Sequence, residues 1–299
     1  MKKISGWNAY RDSFSQAAYS VVKNRNALVI SFCTALLSID YLGVLFQEGA
    51  PLSSYADTVI SFVNQRVILF VGVGLVFFAL STYFKGALLF TIESYRGSKK
   101  LSMRGCFKKS SRNFLRFLAF EASVIVTLLI VLEILTVPAL LTKSDPGLSG
   151  NLYLLAAFAF IPISATLALV EIFGSFYLLF SDVSLRSAWE LSYALLRKRL
   201  PTILTFGLLF IAIYLLFSFL STVILIFVAS YFLSGVSSVI CSVVLFYLFQ
   251  SVFLLFSKTA WITFFNIVAK QDTDQQAMQT EADVIEKDVP ELERGREGV

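Results

Sequence analysis

The chain has 299 residues, 57% of them hydrophobic and only 15% charged, with mean hydropathy +0.76 and a formal net charge of +5. Long runs nearly free of charge exclude a soluble globular domain and mark a polytopic membrane protein. Histidine is absent, and Cys33, Cys106 and Cys241 lie too far apart for a zinc pattern or a disulfide framework.

The first residues, MKKISGWNAYRDSFSQ, are too polar for a signal peptide, and no small-residue cleavage site follows, so the first span is expected to be retained. Trp7, Tyr10, Phe14, Ala17 and Val21 recur at steps of three and four and predict an amphipathic helix ahead of it. About 20 apolar residues at ~1.5 Å each cross a hydrocarbon core of ~30 Å. Six segments qualify, at roughly 27–46, 67–92, 114–142, 152–180, 202–233 and 237–268. The fold class is therefore an all-α integral membrane protein with a membrane domain over 1–270. The remaining 271–299 hold nine acidic and three basic residues and read as a disordered cytoplasmic tail, either solubilising or recruiting a cytosolic partner.

Lysine and arginine set the orientation. Lys2, Lys3, Arg11, Lys23 and Arg25 precede the first span. Arg96, Lys99, Lys100, Arg104, Lys108, Lys109 and Arg112 fill the link between the second and third, and Arg186, Arg197, Lys198 and Arg199 that between the fourth and fifth. The opposite links hold only Arg66 and Lys143, which is sixteen against two. Both termini are expected on the cytoplasmic side of the inner membrane.

Sliding the sequence by 87 residues superposes Arg25, Arg112 and Arg199, each opening an odd-numbered span, with Ala18, Gly105 and Ser192 seven residues earlier. The expectation is three repeated hairpins, over about 5–93, 94–180 and 181–269, each preceded by a cytoplasmic interfacial helix or basic segment. Such a helix lays its apolar face on the headgroup boundary or on the bundle. Units of the same topology are related by an axis along the membrane normal. Pro201 suits the first turn of the fifth span, and Pro162 should kink the fourth. Val71-Gly72-Val73-Gly74 would admit a close helix neighbour.

The third segment is the clearest amphipathic one, with Leu185, Ala188, Trp189, Ser192, Leu195 and Leu196 on one face. Its Ser184, Arg186, Ser187, Ala188, Leu191, Ser192 and Leu195, followed by an apolar span, resemble the fourth-to-fifth connection of YciC-like bacterial inner-membrane proteins. They are also similar to the membrane domain attached to some glycerophosphodiester phosphodiesterases. The resemblance implies a six-span envelope protein. The soluble phosphodiesterase domain has no counterpart here, so it implies no catalysis.

Charges inside the spans are costly and need partners or water. Lys85, Glu121, Glu171 and Lys258 fall at one level, ~10–15 Å from the cytoplasmic surface, and three of them, Lys85, Glu171 and Lys258, are within one residue of the same repeat position. They form either structural ion pairs or a polar vestibule for an ion, headgroup or anionic solute. Asp40 and Glu133 lie nearer the outer face, and Arg116 is placed to snorkel to the cytoplasmic face. The basic residues Lys99, Lys100, Arg104, Lys108, Lys109, Arg112, Arg197, Lys198 and Arg199 are either topogenic or contacts for anionic lipid headgroups. Nucleic acid is not an expected partner, because the basic run has no stacking platform. No phosphate loop, metal motif or nucleophile motif is present, so no cofactor, metal or enzymatic activity is expected. Two functions lead: a non-enzymatic membrane protein organising lipid or protein partners, or a permease or flippase-like transporter using the charged level; an integral-membrane enzyme comes third, since no acid/base pair stands out.

Overall fold

The structure, a computed structural model, describes residues 6–37, 67–96, 101–142, 144–231 and 241–269. Among these the regular elements are all helical: α1 (Gly6–Lys23), α2 (Arg25–Leu37), α3 (Val67–Arg96), α4 (Met103–Leu141), α5 (Pro146–Phe180), α6 (Leu185–Tyr231) and α7 (Cys241–Ala269). Five stretches are long and apolar enough to cross a membrane: Gly72–Arg96, Met103–Leu141, Gly147–Phe180, Leu185–Val228 and Cys241–Ala269. This is the body of a multi-pass membrane protein. The expected first span, 27–46, is described only through the 13 residues of α2. Its remainder, Asp40, Arg66, Lys99, Lys100, Lys143 and the acidic tail lie outside the described residues.

Local chemistry sets the helix ends. Asn24 separates α1 from α2 and its side-chain oxygen accepts the Ala27 N–H at 3.1 Å, as an N-cap does. Ser102 caps α4 by accepting from Gly105, and Asp145 caps α5 by accepting from Gly147 and Leu148, with Pro146 in the first turn. Inside α6 the backbone leaves helical geometry at Arg199 (φ −118°, ψ 20°), two residues before Pro201. The proline ring and its missing N–H account for the kink there.

The expected basic segment ahead of the third span is not a separate element. α4 runs unbroken for 39 residues, about 58 Å, and Arg104–Arg112 form its first turns. The run contains no proline, so nothing stops the helix before the apolar part. α5 likewise continues through Pro162, whose carbonyl accepts the Thr166 hydroxyl at 2.8 Å. Gly72 and Gly74 face open space, so among the described residues no helix makes the close approach expected at 71–74.

The densest packing lies at the end of the bundle that carries the exposed basic residues of α4 and α6, called here the basic end. Phe206 of α6 stacks on Phe264 of α7 at 4.1 Å and meets Trp261 edge-on at 4.8 Å. Trp261 also meets Phe173 of α5, and the ring of Phe120 on α4 lies against Gly174. Only glycine fits at 174, because a Cβ there would overlap that ring. α1 docks on this same end. Tyr10 donates to the Thr202 carbonyl at 3.2 Å and Phe14 stacks on Phe206 at 5.0 Å. The buried stripe of α1 is Ala9, Tyr10, Ser13, Ala17 and Ser20, whereas Trp7 is 67% exposed and Ala18 is on the outer face. Tyr10, Phe14, Ala17 and Val21 of the expected face therefore pack inward, Ala9, Ser13 and Ser20 complete the contact line, and Trp7 alone of the five points outward.

Candidate functional site

Lys85, Glu121, Glu171 and Lys258 stand on four different helices, α3, α4, α5 and α7. Counted from Arg96, Arg112, Phe180 and Ala269, each lies about 13–17 Å along its helix from the basic end. All four line a single cavity of about 550 Å³, together with Thr34 of α2 and Ser81 of α3.

The charges are joined. The Lys85 ammonium pairs with Glu121 and, at 2.6 Å, with Glu171. Thr82 donates its hydroxyl to the second oxygen of Glu121 at 2.6 Å. Lys258 lies near enough to Glu171 for the two charges to attract. Lys85 also sits 5.9 Å from the centre of the Phe117 ring. A charge held in a low-dielectric site needs such partners, since removing it from water costs several kcal/mol per ion on the order-of-magnitude scale. Burial is uneven. The Glu121 side chain is 7% exposed and Glu171 is 31% exposed, so Glu171 is the carboxylate presented to the cavity.

The two ends of the cavity differ. Toward the basic end lie fully buried side chains, Leu88, Phe117 and Phe173. Toward the other end the wall is Leu37, Phe78 and Ile125, all partly exposed. The polar floor therefore rests on a packed aromatic layer, and the open side faces away from it.

The basic residues are not brought to this cavity. Arg104, Lys108, Lys109 and Arg112 are exposed on the first turns of α4, with Lys109 lying 5.8 Å from the Phe90 ring centre. Arg197 and Lys198 are exposed and Arg199 is half-buried at the α6 kink. Arg116 pairs with the Asp182 carboxylate at 2.5 Å and donates to the Val183 carbonyl, which ties α4 to the α5–α6 link. Glu133 is exposed on α4. Among the described residues no group of His, Cys, Asp or Glu is assembled to hold a metal ion.

Sequence reading missed Thr82, Ser81 and Thr34. The signal for the first two was available: they precede Lys85 by three and four residues, which places them on its helix face. Thr34 carried no such signal, because its helix contributes no charge to the site. Comparison with protein-family models, with curated proteins and with solved structures gives no match to this chain.

Proposed function

We propose that the chain is a six-span, non-enzymatic protein of the cytoplasmic membrane that works as a flippase-like transporter of a lipid headgroup. The cavity at the charged level is the observation that carries this reading. Ion pairs that served only to fix helix register would be packed dry. Here Glu171 faces a volume of about 550 Å³, room for many water molecules at ~30 Å³ each. Two ammonium and two carboxylate groups balance, which suits a group carrying both charges, such as a zwitterionic phospholipid headgroup. The partly exposed Ile125 and Phe78 at the open side offer a lateral way in from the lipid.

In this reading α2 is the first part of span 27–46, the basic end faces the cytoplasm, and the spans form three hairpins. Two observations support the repeat. The helix breaks at Asn24 and Arg199 fall at matching repeat positions within one residue, and the return helices α3, α5 and α7 each place one charge on the same cavity. The resemblance of 181–203 to YciC-like inner-membrane proteins fits the same plan.

The test is transfer of a fluorescent phosphatidylethanolamine analogue between leaflets of vesicles containing the purified protein. Faster transfer than in protein-free vesicles, reduced in a folded Glu171→Gln variant, is the expected result. Transfer at the protein-free rate would defeat the reading. A second function, organising anionic lipid or protein partners, is favoured by the exposed Arg104, Lys108, Lys109 and Arg112 on one helix start. Transfer at the protein-free rate together with retention of anionic lipid would select it.

A further inference from the structure

A second cavity, of about 300 Å³, lies between α1, α3 and α7, reaching from Arg96 at the end of α3 to Thr259, the residue after Lys258. Its polar lining is Gln16, Tyr19, Ser20, Tyr95, Arg96 and Thr259. Two of these are anomalous. Ser20 is 4% exposed and Thr259 is 1% exposed, and neither hydroxyl oxygen has a hydrogen-bond partner. A buried serine or threonine in a helix ordinarily donates to the carbonyl four residues back. Ser13, Thr34, Thr91 and Ser192 of this bundle all do so. Ser20 and Thr259 depart from the pattern, and both line the same cleft. A buried polar group without a partner is costly enough to need an explanation, of which a missing ligand is one.

The rest of the lining supplies donors. Gln16 accepts the Thr263 hydroxyl at 3.3 Å through its side-chain oxygen, which leaves its NH2 group to donate. The rings of Tyr19 and Tyr95 flank the mouth, with centres 6.4 Å apart. Arg96 is the last residue of α3 and forms an ion pair with Glu93 at 3.7 Å, longer than a hydrogen bond, so its N–H groups are not all engaged. Glu93 itself accepts from Asn266 at 3.5 Å and does not line the cleft. The lining thus holds a guanidinium, two aliphatic hydroxyls, two phenols that hydrogen-bond each other and an amide, with no carboxylate among the lining residues.

We propose that this cleft binds a phosphate group. The donor set matches a compact oxyanion rather than a cation, and a guanidinium engages phosphate through two parallel hydrogen bonds. Arg96 anchors the anion from the rim, while Ser20 and Thr259 donate from the floor. Arg96, the last residue of α3, sets the mouth of the cleft at headgroup depth, and Thr259 lies deeper, next to Lys258 in sequence. The phosphate belongs either to an anionic lipid reaching in from the leaflet or to a free phosphorylated solute.

The test uses the full-length protein in maltoside micelles, which contain no phosphate. Thermal unfolding is followed while inorganic phosphate, or phosphatidylglycerol, is titrated in. A saturable rise of the melting temperature is expected with at least one of them. A response to inorganic phosphate identifies a free anion as sufficient, and a response to phosphatidylglycerol alone identifies the lipid source. In Thr259→Val and in Arg96→Gln the apparent affinity should fall about tenfold or more. Arg186→Gln, on the exposed face of α6, should bind as wild type does. Should Thr259→Val fail to fold, Ser20→Ala makes the same comparison. No saturable shift with either ligand, or equal shifts in wild type and the cleft variants, would overturn the proposal.

Discussion

The ammonium of Lys85 on α3 lies 2.6 Å from the carboxylate of Glu171 on α5, two helices that never adjoin in sequence. The same ammonium holds Glu121 of α4. One lysine thus ties three helices within the membrane-spanning part of the bundle. Removing it leaves two carboxylates facing each other, one of them buried. Lys85→Met should destabilise the protein by about 3–5 kcal/mol. Adding Glu121→Gln should recover part of the loss, since one uncompensated charge is removed as well. Unfolding midpoints of the single and double variants in detergent measure both effects.

Gly174 and Gly72 make opposite predictions. A Cβ at 174 meets the Phe120 ring, whereas one at 72 meets nothing within 4 Å. Gly174→Ala should cost about 1–3 kcal/mol through overpacking. Gly72→Ala should be neutral or stabilising by up to about 1 kcal/mol, because alanine loses less freedom in a helix. The two melting curves distinguish a packed basic end from an open opposite end.

Phe206 is fully buried and touches α1 and α7 at once, stacking on Phe14 and Phe264. Phe206→Ala should cost about 3–5 kcal/mol. It should also loosen α1, which hydrogen exchange would report as lost protection in residues 6–23 ahead of the remaining helices.

The exposed Asp182 has φ of 50°, in the left-handed region, and pairs with the half-exposed Arg116. The ion pair is worth roughly 0–1 kcal/mol, whereas a β-branched residue at this φ is strained. Asp182→Gly should change stability by less than about 1 kcal/mol, since relief of the backbone offsets the lost pair. Asp182→Val should cost about 1–2 kcal/mol more than that. Thermal denaturation of the two variants gives the difference directly.

Hydropathy was enough to find the five long helices, because each carries a run of apolar residues longer than any soluble core helix needs. Counting residues from the span ends also brought Lys85, Glu121, Glu171 and Lys258 to one depth, since a helix converts sequence distance into depth at a fixed rise. What lies between helices was not readable this way. The exposure of Trp7 and the burial of Ser13 and Ser20 on α1 escaped because apolarity alone does not say which residues of a helix meet a neighbour. The continuity of α4 escaped because a dense basic run reads as a loop, although nothing in it breaks a helix. The cleft at Ser20 and Thr259 joins opposite ends of the chain, so no local pattern announces it.

The central claim is that water reaches the charged level. Ser81 lines that cavity one turn from Lys85 and takes no part in the ion pairs. With Cys33, Cys106 and Cys241 replaced, a single cysteine at Ser81 reports access without disturbing the charges. A small membrane-impermeant thiol reagent should label it from the side opposite the basic end, where Leu37, Phe78 and Ile125 leave the cavity open. A folded protein that stays unlabelled from both sides would show a dry set of ion pairs and contradict the account.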